Sequence, residues 1–382
     1  MRYKKEDTQL YKRILPSGLS VYYYRVYTPE GKRLRISTGK SKKFEAKNYV
    51  NKLIEEGTLI PDNKKITLFS EFTENFWLWD KCQYVRRKRE FGKGLSKEYV
   101  QIQRLNLAKH ILPFFGKREI GSITKSDIDA WLLTFKDKNL SNQTAKNNLN
   151  TLNVIFREAY NKELINKNPT LKIDKIETKN KERQILKDEE FFKLFSSNAL
   201  EEIWNNDILC YVGNMLPALT GLRQGEVLAI RGKNVFPDYI NIENSFSKIE
   251  GLKSPKTKAT RIVPIPKILY EWLLKLKKES PDLYLFSFKG DKPIGGRKLT
   301  EGLYKALNKI GLSTEKIKER NITFHSWRHF FNTLLMRNNI AINKIQNVIG
   351  HKTDEMTKHY NHFELKDYED ILLIQEGLLR IE

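Results

Sequence analysis

The chain has 382 residues, of which 69 are Lys or Arg and 46 are Asp or Glu, so its formal net charge is +23. This length is comfortable for two or three domains, and an apolar fraction of 40% is enough to build real cores. Such a basic chain indicates a polyanionic partner, either nucleic acid or an anionic membrane. No stretch approaches the roughly 18 consecutive apolar residues of a membrane span, and no apolar signal core follows Met1, so we expect neither a membrane protein nor a secreted one.

The two cysteines, Cys82 and Cys210, lie far apart in the sequence. They offer neither a disulfide framework nor a zinc site of usual spacing, so we predict a protein of the reducing cytoplasm. We predict no metal and no cofactor, because the sequence shows no carboxylate cluster of the nuclease type. The abundance of Lys, Asn and Ile suggests an AT-rich bacterial genome.

Residues 1–62 are predicted to form a small separate domain, in which a helix from Phe44 to Glu56 follows three short strands. The predicted strands are Leu10–Leu15, Val21–Tyr27 and Lys32–Ser37, with turns at residues 16–18 and 28–31 between them.

The third strand alternates basic and apolar residues, so one face of the sheet is basic. That face is either a solvated surface or a sheet laid in a DNA groove. We favour the groove, because Arg25, Arg33 and Arg35 belong to strands rather than to a tail.

Residues 66–172 are predicted to form a helical domain after a linker at residues 61–65. Phe72, Phe76 and Trp79 are predicted to share a helix face. We expect Ser126 or Asp127 to cap one later helix and Ser141 to cap another. A basic run is placed in a loop between the first two helices, where it is either solvated surface or a phosphate contact. Its members are Arg86, Arg87, Lys88 and Arg89.

A second linker is predicted between Ile173 and Arg183, because this stretch is polar and lacks periodicity. The remainder, residues 184–382, is mixed and mostly helical, with a short sheet between about Tyr239 and Pro266. The predicted fold class is therefore multidomain and mainly α, with small β-sheets.

Two of five short motifs in this last region carry basic residues in turns. Arg223 lies between Gly221 and Gly225 at a corner between apolar helices, and Glu226 follows three residues later. Lys256 lies in a predicted hairpin turn that leads to Pro264. Taken alone, each is typical of an ordinary surface turn.

The third motif places His325 and Arg328 on a common side near the start of a helix. A helix N-terminus with such residues is a natural anion site, although a capping histidine and a surface arginine would give the same pattern. A continuous apolar stripe predicts the helix itself, independently of these two residues. The stripe consists of Trp327, Phe330, Phe331, Leu334 and Leu335.

The last two motifs follow a helix that carries Ile345 and Val348 and ends at Gly350. His351 comes directly after that glycine and is displayed on the turn. Tyr360 follows nine residues later between two histidines. A tyrosine in this setting is usually structural when considered alone.

The five weak motifs occur in one order, and this ordered series resembles the catalytic signature of the tyrosine recombinase family, which includes phage and conjugative-transposon integrases. The resemblance spans the chain and implies an arm-site DNA-binding domain, a core-binding domain and a catalytic domain. Glu226 matches the acidic support position. Lys256 is assigned by its offset to Pro264, with Lys253 and Lys258 close by. The catalytic set implied by the resemblance is Arg223, Lys256, His325, Arg328, His351 and Tyr360.

The resemblance also implies a reaction and an assembly. Tyr360 would attack a DNA phosphodiester and keep the ester energy in a covalent phosphotyrosine. Four protomers would exchange strands through a Holliday junction, on double-stranded DNA with core and arm sites in the bacterial nucleoid. An excisionase or a host DNA-bending protein would be an accessory partner. A type IB topoisomerase and a non-catalytic DNA-binding regulator are the alternatives.

The tail after Tyr360 is predicted to be helical, with Tyr368, Ile371 and Leu372 on one apolar stripe. This helix packs either on its own domain or, as the resemblance suggests, on a neighbouring protomer. The second alternative would couple the position of Tyr360 to assembly.

Overall fold

The structure is a computed structural model. It describes residues 8–15, 19–27, 31, 33–60, 67–92, 94–178, 184–254, 260–350 and 364–379. The chain is mainly helical with small sheets, as the sequence predicts. None of the helices in these ranges is long and apolar enough to span a membrane.

Contacts divide the chain into two compact units, each built from two segments. The first unit contains Met1–Phe76 and Leu105–Asp174, and the second contains Trp77–Arg104 and Lys175–Glu382. The division into three domains at residues 1–62, 66–172 and 184–382 stays a prediction.

The N-terminal sheet has the three predicted strands, β1 (Gln9–Ile14), β2 (Ser20–Tyr27) and β3 (Arg33–Ser37). They pair antiparallel in the order β1-β2-β3 and are followed by helix α1 (Lys43–Glu55). The predicted turns at residues 16–18 and 28–30 lie outside the described residues.

One face of this sheet forms the core of the N-terminal region. Tyr24 and Val26 of β2 are buried, and they cluster with Val50 of α1 and with Leu59. The Tyr24 hydroxyl donates a hydrogen bond to the Leu59 carbonyl oxygen at 2.9 Å. Because side chains alternate along a strand, burial of Tyr24 and Val26 turns Tyr23 and Arg25 toward the opposite face.

The middle of the chain is helical, as predicted. Its α-helices are α2 (Phe69–Thr73), α3 (Gln83–Phe91), α4 (Lys97–Asn106), α5 (Leu112–Phe115), α6 (Lys125–Asp137) and α7 (Asn142–Asn161). A π-helical turn at Leu107–Ile111 joins α4 to α5, and 3₁₀ turns lie at Ile120–Ser122 and Pro169–Lys172.

Two local predictions here concern helix caps. Ser141 caps α7 as predicted, with its hydroxyl accepting a hydrogen bond from the Thr144 N–H at 3.2 Å. The prediction for α6 is wrong by a few residues. Thr124 is the cap, and Asp127 completes a capping box by accepting from the Thr124 N–H at 2.8 Å.

Two predictions for the start of the helical region are wrong. Phe72, Phe76 and Trp79 do not share one helix, because α2 ends at Thr73 and Trp77 adopts a positive φ of 60°. The basic run Arg86–Arg89 lies on α3 rather than in a loop. Arginine and lysine favour helix, and an ion pair between Arg86 and Glu90 adds support one turn along.

The second unit holds the remaining helices and four short strands. The helices are α8 (Asp188–Phe195), α9 (Ala199–Glu202), α10 (Ile208–Thr220), α11 (Gln224–Ala229), α12 (Lys267–Lys275), α13 (Gly296–Lys309), α14 (Thr314–Glu319), α15 (Ser326–Arg337), α16 (Ile342–Ile349) and α17 (Glu369–Leu379). Strands β4 (Tyr239–Ile242) and β7 (Arg261–Pro264) pair antiparallel, as do β5 (Ser245–Ser247) and β6 (Gly251–Lys253). Further 3₁₀ turns lie at Gly232–Asn234 and Leu365–Tyr368.

Helices α10 and α15 form the centre of this unit. Every residue of α10 from Leu209 to Thr220 is buried, and the predicted apolar stripe of α15 is buried throughout. The Trp327 indole N–H donates to the Asn214 side-chain oxygen at 2.9 Å, so the two helices are also joined by a buried polar contact. This core fixes the first residues of α15, which include Arg328.

The tail helix α17 packs on its own domain. Its residue Gln375 is fully buried and donates from Nε2 to the carbonyl oxygens of Leu219 at 2.7 Å and Pro264 at 3.0 Å. Tyr368 is buried as well, and its hydroxyl contacts the Asn347 side-chain oxygen at 3.2 Å. These contacts lie within one chain, as the intramolecular alternative for the tail expects, and docking on a neighbouring protomer stays a prediction.

Candidate active site

The corner between α10 and α11 presents Arg223. Gly221 ends α10 with φ +65°, and a Cβ built there would lie 2.8 Å from a ring carbon of Phe331. Only glycine meets both demands at this close approach. The chain then extends through Arg223, which is the residue before α11, so its guanidinium projects from a fixed turn.

Glu226 is the acidic centre of the site. Its Oε2 accepts a hydrogen bond from the Arg223 backbone N–H at 2.9 Å, and its Oε1 accepts from Arg223 Nη1 at 3.0 Å. The residue is only 1% exposed. Burial alone would raise the pKa of this carboxyl, but the charge and hydrogen bonds of Arg261, followed by those of Arg223, hold the pKa below its ordinary value.

Arg261 was not among the predicted site residues, and it is the main partner of Glu226. Its Nη1 and Nη2 donate to the two Glu226 oxygens at 3.2 and 2.8 Å, which is a bidentate arrangement. Its Nε donates to the carbonyl oxygen of Val348 at 2.9 Å. The sequence offers one weak sign of this role, which is a basic residue at the start of an apolar strand. The pairing itself could not be predicted, because Glu226 lies 35 positions away in sequence.

Helix α16 ends against these two arginines. Gly350 follows the helix in the left-handed region with φ +67°, as the predicted glycine stop requires. Its carbonyl oxygen accepts from Arg223 Nη2 at 3.0 Å, and a Cβ built on it would lie 3.0 Å from the guanidinium carbon of Arg261.

Arg328 joins the cluster from the first turn of α15. It is 4% exposed, and its Nη1 donates to the Gly221 carbonyl oxygen at 2.9 Å. Its Nη2 is buried and has no hydrogen-bond partner among the residues described. Burial, together with repulsion from Arg223 and Arg261, lowers the pKa of Arg328 to about 9.

His325 lies immediately before α15, one turn from Arg328, and is exposed. Its ring meets that of His329 edge-on, with centroids 4.9 Å apart. The structure thus brings Arg223, Arg328 and Glu226 together, with His325 at the start of the same helix as Arg328. His329 is a further histidine of this face that the sequence analysis did not assign.

Three predicted residues, Lys256, His351 and Tyr360, lie outside the described residues. The neighbouring Lys253 of β6 is described. Its Nζ pairs with the carboxylates of Glu250 at 2.7 Å and Glu98 at 3.7 Å.

A cleft of about 790 Å³ opens beside Arg223. The hairpin β5–β6 forms one wall, and the segment before α13 forms another. Its basic lining residues are Arg223, Lys248, Lys253, Lys292 and Arg297. Glu98 and Glu226 also line it, so basic residues outnumber acidic ones by five to two, and such an excess favours a polyanion.

The predicted DNA-binding residues of the N-terminal sheet share its outer face. Register pairs Arg25 with Arg35 and Tyr11 with Tyr23, and the Arg25 guanidinium lies 4.5 Å from the centre of the Tyr11 ring. Arg33 is exposed on the same face, two residues before Arg35. The paired arginines Arg25 and Arg35 carry like charges, and such pairs destabilise a sheet. This face is therefore not arranged for stability.

The predicted basic run is exposed on α3 throughout. Arg89 covers the Trp79 ring at 4.3 Å, and Arg87 lies near the ring of Tyr84. These contacts hold the side chains along one helix rather than in a loop. Within the described part of the chain, no group of His, Cys, Asp and Glu side chains is arranged to hold a metal ion.

Comparison with known proteins extends the match beyond single residues. Residues 195–366 match the profile of the phage integrase family, and residues 109–176 match the phage integrase SAM-like domain. The ICEBs1 integrase of Bacillus subtilis is 29% identical over 192 residues, which are 49% of this chain and about half (51%) of that protein. The tyrosine recombinase XerD of Staphylococcus haemolyticus is 26% identical over 284 residues, which are 72% of this chain and 90% of that protein.

Solved structures share the fold at low sequence identity. The Tn1549 transposon integrase bound to a circular intermediate DNA superposes with a TM-score of 0.57 at 21% identity, covering 74% of this chain and 95% of that one. A lambda integrase tetramer bound to a Holliday junction gives 0.58 at 18% identity, covering 93% and 98%. With the profile matches over more than half of its length, this chain belongs to the phage integrase family of tyrosine recombinases.

Proposed function

We propose that this protein is a site-specific DNA recombinase of a mobile element, which cuts and rejoins DNA through a 3′-phosphotyrosyl bond to Tyr360. The observation that carries the proposal is the arginine cluster. The guanidinium groups of Arg223 and Arg328 lie close enough to repel each other, and Arg328 holds a buried Nη2 without a hydrogen-bond partner among the described residues. Buried donors are normally paired, so this one is suited to a ligand oxygen.

The phosphodiester is the ligand that fits. In the first step the Tyr360 hydroxyl oxygen bonds to phosphorus, and the bond from phosphorus to the 5′ oxygen breaks. Negative charge concentrates on the non-bridging oxygens in the transition state. Two guanidinium groups, Arg223 and Arg328, neutralise that charge and hold it by hydrogen bonds.

Protons must move at both ends of the reaction. His325 and His351 hydrogen-bond the same phosphate or take the proton of Tyr360. Lys256 donates a proton to the departing 5′ oxygen. Rejoining is the reverse: a 5′ hydroxyl attacks the phosphotyrosine, so bond energy is conserved without an external energy source. Arg and Lys supply the positive charge that metal ions supply in two-metal enzymes.

Glu226 has a supporting role in this scheme. It is ionised, buried and bonded to Arg223 and Arg261, so it fixes the Arg223 guanidinium and offsets part of the positive charge. Without it, the guanidinium groups of Arg223, Arg261 and Arg328, of which the last two are buried, would repel one another. The cluster keeps a net positive charge, as a phosphate site requires.

Double-stranded DNA is the proposed partner, in the bacterial cytoplasm. The cleft beside Arg223 and the basic helix α3 would contact the core site, and the outer face of the N-terminal sheet would contact an arm site. The three domains at residues 1–62, 66–172 and 184–382 would divide these tasks. We further propose a homotetramer on DNA, assisted by an excisionase or a host DNA-bending protein.

The proposal is tested with a nicked suicide substrate that carries the core site. The wild-type chain should form a covalent adduct that survives denaturing electrophoresis, and Tyr360→Phe should form none while binding the same DNA with similar affinity. A Phe variant that recombines normally would refute the assignment. Relaxation of supercoiled plasmid without any recombinant product would favour the topoisomerase alternative.

A further inference from the structure

Arg261 begins strand β7, and its side chain is only 6% exposed. Its three guanidinium nitrogens each donate to the protein, two to Glu226 and one to Val348. We propose that Arg261 is a positioning residue for strand cleavage, which holds Glu226 and the end of α16 in the arrangement that Arg223 needs. The inference rests on the proposed function and assigns a role to a residue outside its catalytic set.

The geometry supports this role because Arg261 and Arg223 share Glu226 as a partner and both bind the end of α16. Glu226 Oε1 accepts from both arginines, at 3.0 Å from Arg223 and 3.2 Å from Arg261. At the end of α16, Arg261 holds the Val348 carbonyl oxygen and Arg223 holds that of Gly350, two residues later. A shift of Arg261 would therefore move both anchors of Arg223 together.

Charge supports the same role. Arg223 and Arg261 both bond to the buried carboxylate of Glu226, and the Arg328 guanidinium lies within electrostatic range of all three. Arg261 is the only one of the three with a bidentate pair to Glu226 among the described contacts. It therefore keeps Glu226 ionised and oriented, and leaves the Arg328 Nη2 to face a phosphate.

The same unit contains a second buried ion pair, which lies away from the site and matches the pair of Arg261 and Glu226. Arg320 binds Glu190 through Nη1 and Nη2 and also donates to the Ile185 carbonyl oxygen, so it repeats the arrangement of Arg261. It is similarly buried, with a side chain 13% exposed. Its partners belong to α8 and the segment before it, and make no described contact with Arg223. Arg320 thus controls for the loss of a buried ion pair.

The experiment compares Arg261→Met, Arg261→Lys and Arg320→Met in the full chain. At a temperature where all are folded, Arg261→Met should slow adduct formation on the suicide substrate by about 100-fold, the effect expected of a misplacement of about 1 Å. DNA affinity should change little. Arg261→Lys keeps the charge and should recover part of the rate, and Arg320→Met should cleave like the wild type.

A double variant shows whether Arg261 acts through Glu226. Because both residues serve one contact, Arg261→Met combined with Glu226→Gln should be no slower than the slower single variant. Fully additive losses, or an Arg261→Met rate equal to that of Arg320→Met, would overturn the proposal.

Amide hydrogen exchange tests the positioning role without requiring DNA cleavage. Arg261→Met should speed amide exchange at residues 221–227 and 345–350 by about 10-fold, and Arg320→Met should leave both segments unchanged. Absence of any adduct with the wild-type chain would refute the proposed function. In that case unchanged exchange in Arg261→Met would overturn this inference as well, and faster exchange in both segments would support it.

Discussion

Replacing Arg328 with methionine should stabilise the DNA-free protein while it abolishes cleavage. Arg328 is 4% exposed, and burial together with its arginine neighbours lowers its pKa from 12.5 to about 9. The buried charge of Arg328 therefore lowers the free energy of unfolding of the wild type. Methionine is of similar length and apolar, so it fits the site without the charge.

The magnitude follows from the pKa. A drop from 12.5 to about 9 corresponds to about 4–5 kcal/mol, at 1.36 kcal/mol per unit. Methionine also removes the hydrogen bond to the Gly221 carbonyl oxygen, which costs about 1–3 kcal/mol. The net gain is about 1–4 kcal/mol, and each kcal/mol raises the Tm of a unit of this size by about 2–4 °C.

The dependence on pH has a definite sign. Below about pH 9, Arg328 is charged in both the folded and unfolded states, so the stability difference between variant and wild type is constant. Above that pH the folded wild type releases the proton while the unfolded chain keeps it. The wild type then gains stability with pH, and the difference narrows by about 1.4 kcal/mol per pH unit.

Thermal unfolding with and without core-site DNA measures these effects. DNA should raise the Tm of the wild type more than that of Arg328→Met, because the proposed site pairs a phosphate oxygen with the Arg328 Nη2. Arg337→Met is the control, since this arginine lies at the other end of α15 with a side chain 57% exposed. A Tm that falls by several degrees in Arg328→Met, or a difference that does not narrow between pH 8 and pH 10.5, would refute the reasoning.

Three further predictions concern the hairpin, the tail and the N-terminal sheet. Lys256→Ala should slow cleavage of a normal phosphodiester far more than cleavage of a 5′-bridging phosphorothiolate, whose sulfur leaves without a proton; equal losses in single-turnover rates would assign the role elsewhere. Gln375→Leu should cost about 1–3 kcal/mol in urea unfolding, because two buried carbonyl oxygens lose their donor; unchanged unfolding with lost synapsis would instead favour docking on a neighbour. Arg25→Ala should weaken arm-site binding and lower the slope of log affinity against log salt concentration by about 1. Lys52→Ala on α1 should change neither quantity. Equal effects of the two variants would show that the sheet face is an ordinary solvated surface.

Regular patterns in the sequence predict much of this fold. The apolar stripe of α15 is buried as its spacing requires, and Gly350 ends α16 in the left-handed region. The three N-terminal strands lie within one or two residues of their predicted bounds. In each case the signal is local, because periodicity and turn residues act within a few positions.

Contacts between distant segments could not be predicted in this way. Arg261 was overlooked because its partners, Glu226 and Val348, lie 35 and 87 positions away. The basic run on α3 could not be assigned from charge alone, because a run of arginine and lysine fits both a solvated loop and a helix. The alternatives for the tail stayed open, since an apolar stripe shows that a helix is covered but not by which surface.

Peptide mapping of the trapped adduct shows whether Tyr360 is the residue that becomes covalently attached to DNA. After cleavage next to Lys and Arg, Tyr360 lies in the peptide from His359 to Lys366, in which it is the only tyrosine. We expect the nucleotide remnant on this peptide. Its discovery on the next peptide, which contains Tyr368, would contradict the account, because Tyr368 is 1% exposed and burial raises its pKa to about 12.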